Sequence, residues 1–91
     1  MDEVGLNAVK QDWQNINFFP NPTEDMWIEA IKQHHTLFGN LKEQTQKICL
    51  EVVKCNGWLL EDVKEQTPEI CLEAIKRDGG AIKYVNAKTQ K

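Results

Sequence analysis

Ninety-one residues, 41% of them apolar and 27% charged, match the size and usage of one small globular domain, which argues against a disordered tail or a two-domain enzyme. Eleven Lys and Arg against 14 Asp and Glu leave a net charge of −3, too weak to mark a nucleic-acid binder. Apolar runs such as Met26-Trp27-Ile28 are about three residues long, far short of the roughly 18 that cross a membrane.

The opening Met1-Asp2-Glu3-Val4 is acidic where an export signal is basic and then apolar, so the chain reads as cytoplasmic. Cys49, Cys55 and Cys71 are odd in number and lack Cys-x-x-Cys spacing. That pattern fits reduced thiols better than a disulfide framework or a zinc knuckle.

Thr23, Thr45, Thr67 and Thr89 are spaced by 22, and one step back lies Met1. The spacing defines four units, residues 1–22, 23–44, 45–66 and 67–88, whose apolar positions coincide. Met26, Ile48 and Ile70 share one column; so do Ala30, Val52 and Ala74, and Phe38, Leu60 and Ile82. The first unit keeps Val4, Leu6, Ala8, Val9, Ile16 and Phe19, but its second half has two prolines and no Gly turn. It reads as an atypical end cap in which Trp13, Phe18 and Phe19 close the core. The second unit departs at His34-His35-Thr36, where Asn-Gly or Asp-Gly stands later. Thr89-Gln90-Lys91 repeats Thr45-Gln46-Lys47, which suggests a chain cut from a longer array or one that lost its later repeats.

The fourth unit shows the local signals best. Thr67 suits an N-cap, Pro68 the first helical position and Glu69 the positive first turn. Ile70, Cys71, Ala74 and Ile75 form one stripe, while Glu69, Glu73, Lys76 and Arg77 face outward. Gly57 and Gly79 are expected to end their helices in the left-handed conformation. A second helix of about eight residues then carries Leu59, Leu60 and Val63, or Ala81, Ile82 and Val85. Such short helices are marginal alone and must stack. The expected fold is all-α, four stacked helix-turn-helix units in a short solenoid-like array. One helix plus one strand per unit, with Ala81–Val85 extended, is disfavoured because the leucine-rich ladder is missing.

The phrase T-P-E-I-C-L-E-A-I-K-x-x-G-x-A-I-K-Y-V, with its copies at Thr45 and Thr23, resembles the domain of unknown function 4116, found in tandem in bacterial and large-virus proteins. The resemblance implies short helical repeats over residues 23–91 and brings no catalytic residue with it.

No motif carries chemistry. His34 and His35 with Cys49 or Cys55 lack zinc spacing, so no metal and no cofactor are expected. Cys49 and Cys71 share a column with Trp27 and Gly5 and read as small core residues. Cys55 shares one with Gln11, Gln33 and Arg77 and reads as exposed, without the activating base that a catalytic thiol needs. Glu29, Glu51 and Glu73 lie three positions before Lys32, Lys54 and Lys76 and read as solvated pairs. A Lys row beside a Glu row is poorly placed to grip phosphates, so nucleic acid is not the expected partner. Trp58 aligns with Thr36 and Gly80 and reads as partly exposed, a hot-spot candidate.

The expected function is a non-enzymatic protein–protein interaction module that binds through Lys32, His34, His35, Lys54, Trp58 and Lys76. The C-terminal unit has no polar cap and is a candidate for self-association. Two alternatives are a phage or mobile-element inhibitor of a host enzyme or defence complex, and a thiol or metal enzyme built on Cys55 and the His pair.

Overall fold

Thr23, Thr45 and Thr67 start helices in the same way. In the computed structural model, which describes residues 2–86, each hydroxyl accepts the amide three residues on, at Met26, Ile48 and Ile70, satisfying one orphan donor of the first turn. Pro68 sits at the helix start, where its missing N–H costs nothing. The α-helices are α1 (Asp2–Gln11), α2 (Glu24–Gln33), α3 (Thr36–Asn40), α4 (Gln46–Cys55) and α5 (Pro68–Arg77). Between and after them run three 3₁₀ helices, η1 (Trp13–Phe18), η2 (Gly57–Asp62) and η3 (Gly79–Tyr84). The four ten-residue helices begin 22 positions apart, and the described residues contain no strand. The opening of a fifth unit at Thr89 lies outside those residues.

Two local expectations are corrected. The second helix of each unit is not an eight-residue α-helix: after α1, α4 and α5 it is six residues of 3₁₀ helix, and after α2 it is the five-residue α3. Bonds from residue i to i+3 close a turn within so few residues, and the longer rise per residue lets the segment reach the next Thr cap. Nor do Gly57 and Gly79 turn left-handed, because no glycine among the described residues has positive φ. The chain turns instead on Asn56 and Asp78, both extended at φ −151° and −139°.

Gly57 serves close approach. A Cβ there would lie 2.3 Å from the Ala74 carbonyl oxygen, so the start of η2 rests directly on the backbone of α5. Its N–H donates to Asp78 Oδ2 at 2.8 Å.

Each long helix packs on its successor: α1 on α2, α2 on α4, α4 on α5, with η1 also on α2 and η2 also on α5. The principal extents are 42 × 20 × 19 Å. Val9, Ile16, Met26 and Ala30 form a small core at the N-terminal end. A larger core runs from Ile28 through Phe38, Val53 and Leu60 to Ala81, and half-buried Trp27 and Leu37 pack against both. Phe19 and Trp13 do pack against the first core, but Phe18 is 81% exposed and closes nothing.

A glutamine fixes each of the last two junctions. Gln44 Nε2 donates to the Asp62 carbonyl at 2.8 Å, and its Oε1 accepts the Lys64 amide at 2.9 Å. Twenty-two positions on, Gln66 Nε2 donates to the Tyr84 carbonyl at 2.8 Å, and its Oε1 accepts the Asn86 amide at 2.9 Å. The thiols of Cys49 and Cys71 point to the same two amide oxygens, at 3.9 and 3.5 Å. Each glutamine thereby satisfies one donor and one acceptor of the loop after a 3₁₀ helix, where no regular structure would.

Candidate functional site

The candidate binding residues divide between the turns that follow the long helices and the helix surfaces. His34, the C-cap of α2, stacks on Trp13 with ring centroids 4.5 Å apart and planes 1° from parallel. His35 points elsewhere, its Nδ1 accepting from Asn56 Nδ2 at 3.1 Å. Asn56 Oδ1 in turn accepts the Trp58 amide at 3.1 Å, capping η2. Trp58 then reaches over η3: its ring lies where a side chain at Gly80 would go, meets Tyr84 edge-on at 6.2 Å, and has Lys83 Nζ 5.6 Å from its centroid. Trp13, His34, His35, Asn56, Trp58, Lys83 and Tyr84 thus form a ridge, linked in turn by stacking, amide bonds and cation–π contact.

The lysines are not part of that ridge. Lys32, Lys54 and Lys76 lie exposed in the last turns of α2, α4 and α5, where positive charge complements the helix dipole. Lys54 pairs with Glu51 at 3.7 Å and Lys76 with Glu73 at 3.5 Å, both i,i+3. These are solvated pairs of the kind that contributes about 0.2–1 kcal/mol. A shorter tie crosses between helices at their starts, where Lys47 meets Asp25 at 3.1 Å and Thr45 donates to Glu24. The Asp25 hydrogen bond and charge hold the Lys47 ammonium above its ordinary pKa.

Burial pushes the Cys49 thiol up to about 11 and raises that of Cys71 in the same sense. Both therefore remain protonated near neutral pH, unlike the thiolate that nucleophilic chemistry requires. Cys55 is exposed and unbonded to another cysteine. Among the described residues no three His, Cys, Asp or Glu side chains are placed to hold a metal ion. A groove of about 570 Å³ between the Pro20–Pro22 loop and the start of α4 is lined by Trp27, Leu37, Leu41 and Ile48, with Glu24, Lys42 and Glu43. No described helix is long and apolar enough to cross a membrane.

Residues 45–88 match the family described as a domain of unknown function, DUF4116. That segment belongs to DUF4116. It spans α4, η2, α5 and η3, and so includes the Gly57–Ala74 approach and the Trp58–Gly80 contact. No curated protein and no solved structure matches the chain.

Reading the sequence alone singles out Trp58 and the His pair as candidates but not Asn56, Lys83 and Tyr84, which the structure places in contact with them. A signal for two of them was present. Trp58 and Gly80 occupy the same position 22 apart, and a large side chain beside its glycine counterpart marks where one covers the other.

Proposed function

We propose that the chain is a short solenoid-like array of four 22-residue helical units that acts as a non-enzymatic protein–protein interaction module in the cytoplasm. The observation that carries this reading is the ridge of turn residues ending at Trp58. Trp58 is 44% exposed although the outer edge of its ring already rests against Gly80, and a cation and a second aromatic flank it. The capping residues Thr23, Thr45 and Thr67 and the linker glutamines Gln44 and Gln66 repeat, whereas the turn residues differ from one turn to the next, which is where a repeat scaffold carries recognition. Trp and Tyr at such a spot give large contact area for little lost side-chain freedom, so the favoured partner surface is apolar with acidic groups opposite Lys83. The lysine row, in which Lys54 and Lys76 pair with Glu51 and Glu73, supplies a weaker second contact.

The test is capture from lysate of the source organism with wild type and with Trp58→Ala, after circular dichroism shows that the variant folds. A stoichiometric protein retained by wild type and lost with Trp58→Ala supports the reading. Capture of nothing specific overturns it. A captured enzyme whose activity falls on binding would move the assignment to the inhibitor alternative.

A further inference from the structure

The two end faces of the described stack carry counterparts of the groups that its internal junctions bury. At the last internal junction, η2 offers Gly57 and Leu60, both buried, and α5 packs on it with Ala74 and Asp78 against Gly57 and Ile70 in the same core as Leu60. Twenty-two positions on from η2, the C-terminal end presents Gly79 with nothing within 4 Å of its Cβ position. Ile82 stands there 62% exposed, although its counterparts Phe38 and Leu60 are fully buried. Ile75 is half-buried where Val9, Ile31 and Val53 are fully so. The N-terminal end shows the complementary set on α1. Val4 is 68% exposed, although its counterparts Met26, Ile48 and Ile70 are buried, and Ala8 is only half-buried.

The polar groups match as well. At each internal junction the residue one place after the turn is held by the end of the next helix. The Trp13 amide donates to Gln33 Oε1 at 2.9 Å, His35 accepts from Asn56, and the Gly57 amide donates to Asp78 Oδ2. The Gly79 amide has no such partner among the described residues, while α1 ends in Gln11 and is followed by Asp12, the counterparts of Gln33 and Asp78.

We infer that the C-terminal face of η3 and α5 docks α1 of a second copy of this chain, head to tail, repeating the internal junction. Ala8 of the second copy brings its carbonyl against Gly79, its Asp12 or Gln11 accepts the Gly79 amide, and its Val4 covers Ile82. Continuity with the internal junction argues for this occupant, and so does charge, since residues 1–22 carry a net −2 and residues 67–88 a net +1. One pairing opposes it: at the helix starts Glu69 meets Glu3, where the internal junction sets Lys47 beside Asp25. The contact is heterologous and does not close, so association proceeds to short chains of copies. It rests on the stacking of the units and not on the exposed part of the Trp58 ring.

Sedimentation of the full chain across concentrations up to about 1 mM tests this, that being the range in which a weak contact becomes populated. The expected result is a mass that grows with concentration beyond the dimer. Gly79→Val, which has room in the single copy, abolishes the growth without changing the melting temperature. Val4→Lys does the same from the other end. Mixing the two variants restores a one-to-one pair, because each keeps one intact face, and Glu3→Lys strengthens association several-fold. A wild type that stays monomeric overturns the inference. So does a Gly79→Val variant that associates like wild type, or a dimer that grows no further and is not restored by mixing.

Discussion

Gly57 and Ala74 touch backbone to backbone: the space that a side chain on Gly57 would need is filled by the Ala74 carbonyl. Gly57→Ala therefore has to push η2 off α5, and we expect a loss of about 1–3 kcal/mol, the usual cost of overpacking a tight contact. Gly79→Ala, at the equivalent position with open space, should change stability by less than about 0.5 kcal/mol. Urea denaturation of the two variants decides this, and equal losses would refute the close-approach account.

Gln66 and Gln44 make the same bonds in different surroundings. The bond from Gln66 to the Tyr84 carbonyl is partly buried, whereas the one from Gln44 to the Asp62 carbonyl is exposed. Water replaces the second donor more readily than the first. Gln66→Ala is expected to cost about 1–2 kcal/mol and Gln44→Ala about half of that, both read from denaturant midpoints at unchanged slope. Gln66→Glu should be the harsher change near neutral pH, since a carboxylate then faces the Tyr84 carbonyl with no proton to donate.

Alkaline pH should loosen the fold through Cys49. Its thiol titrates at about 11 when folded against an ordinary 9.0, so the unfolded chain loses the proton first. The folded state then holds more protons than the unfolded state, and stability falls as pH rises through that window. The stability it contributes is present in full below pH 9 and absent above 11, and Cys71 acts in the same direction. Melting temperatures of wild type and Cys49→Ala from pH 8 to 11 test this. The variant should show the shallower decline, and parallel curves would remove Cys49 from the explanation.

Trp58 should move when Gly80 acquires a side chain. A Cβ at Gly80 would lie 2.5 Å from the outer edge of the indole, which is the far end of a side chain free to swing toward solvent. In a background with Trp13 and Trp27 replaced by Phe, Gly80→Ala should shift the Trp58 emission to longer wavelength and cost less than about 1 kcal/mol. An unchanged spectrum would mean that the ring does not rest on η3.

Much of the helical framework was written in local chemistry. Thr23, Thr45 and Thr67 are caps by residue type, Pro68 marks a helix start, and the stripes Met26–Ile31 and Ile70–Ile75 carry a helical period. Gly57 was misleading because glycine has two uses, tolerance of positive φ and absence of a Cβ, and a sequence does not separate them. The segment Gly57–Asp62 has the apolar spacing of an α-helix, and only its confinement between two extended cap residues selects the tighter 3₁₀ form. Of the candidate binding residues, His34, His35 and Trp58 stand out in the sequence as departures from the repeat. Their grouping was not, since it depends on Asn56 bonding His35 on one side and the Trp58 amide on the other. Gln44 and Gln66 stood in plain view at equivalent positions before each Thr, but a linker glutamine gives no sign of what its amide will reach.

The ties between successive helices span similar chain separations, 20 residues from Trp13 to Gln33, 21 from Gly57 to Asp78 and 18 from Gln66 to Tyr84. No described helix waits on a partner from the far end of the chain. Loop closure is therefore equally inexpensive at every step, and folding can begin at any junction and spread outward. The same locality sets the mechanical response. Pulled from its two ends, the described helices should come apart by peeling, one after another, since the contacts among them join chain neighbours.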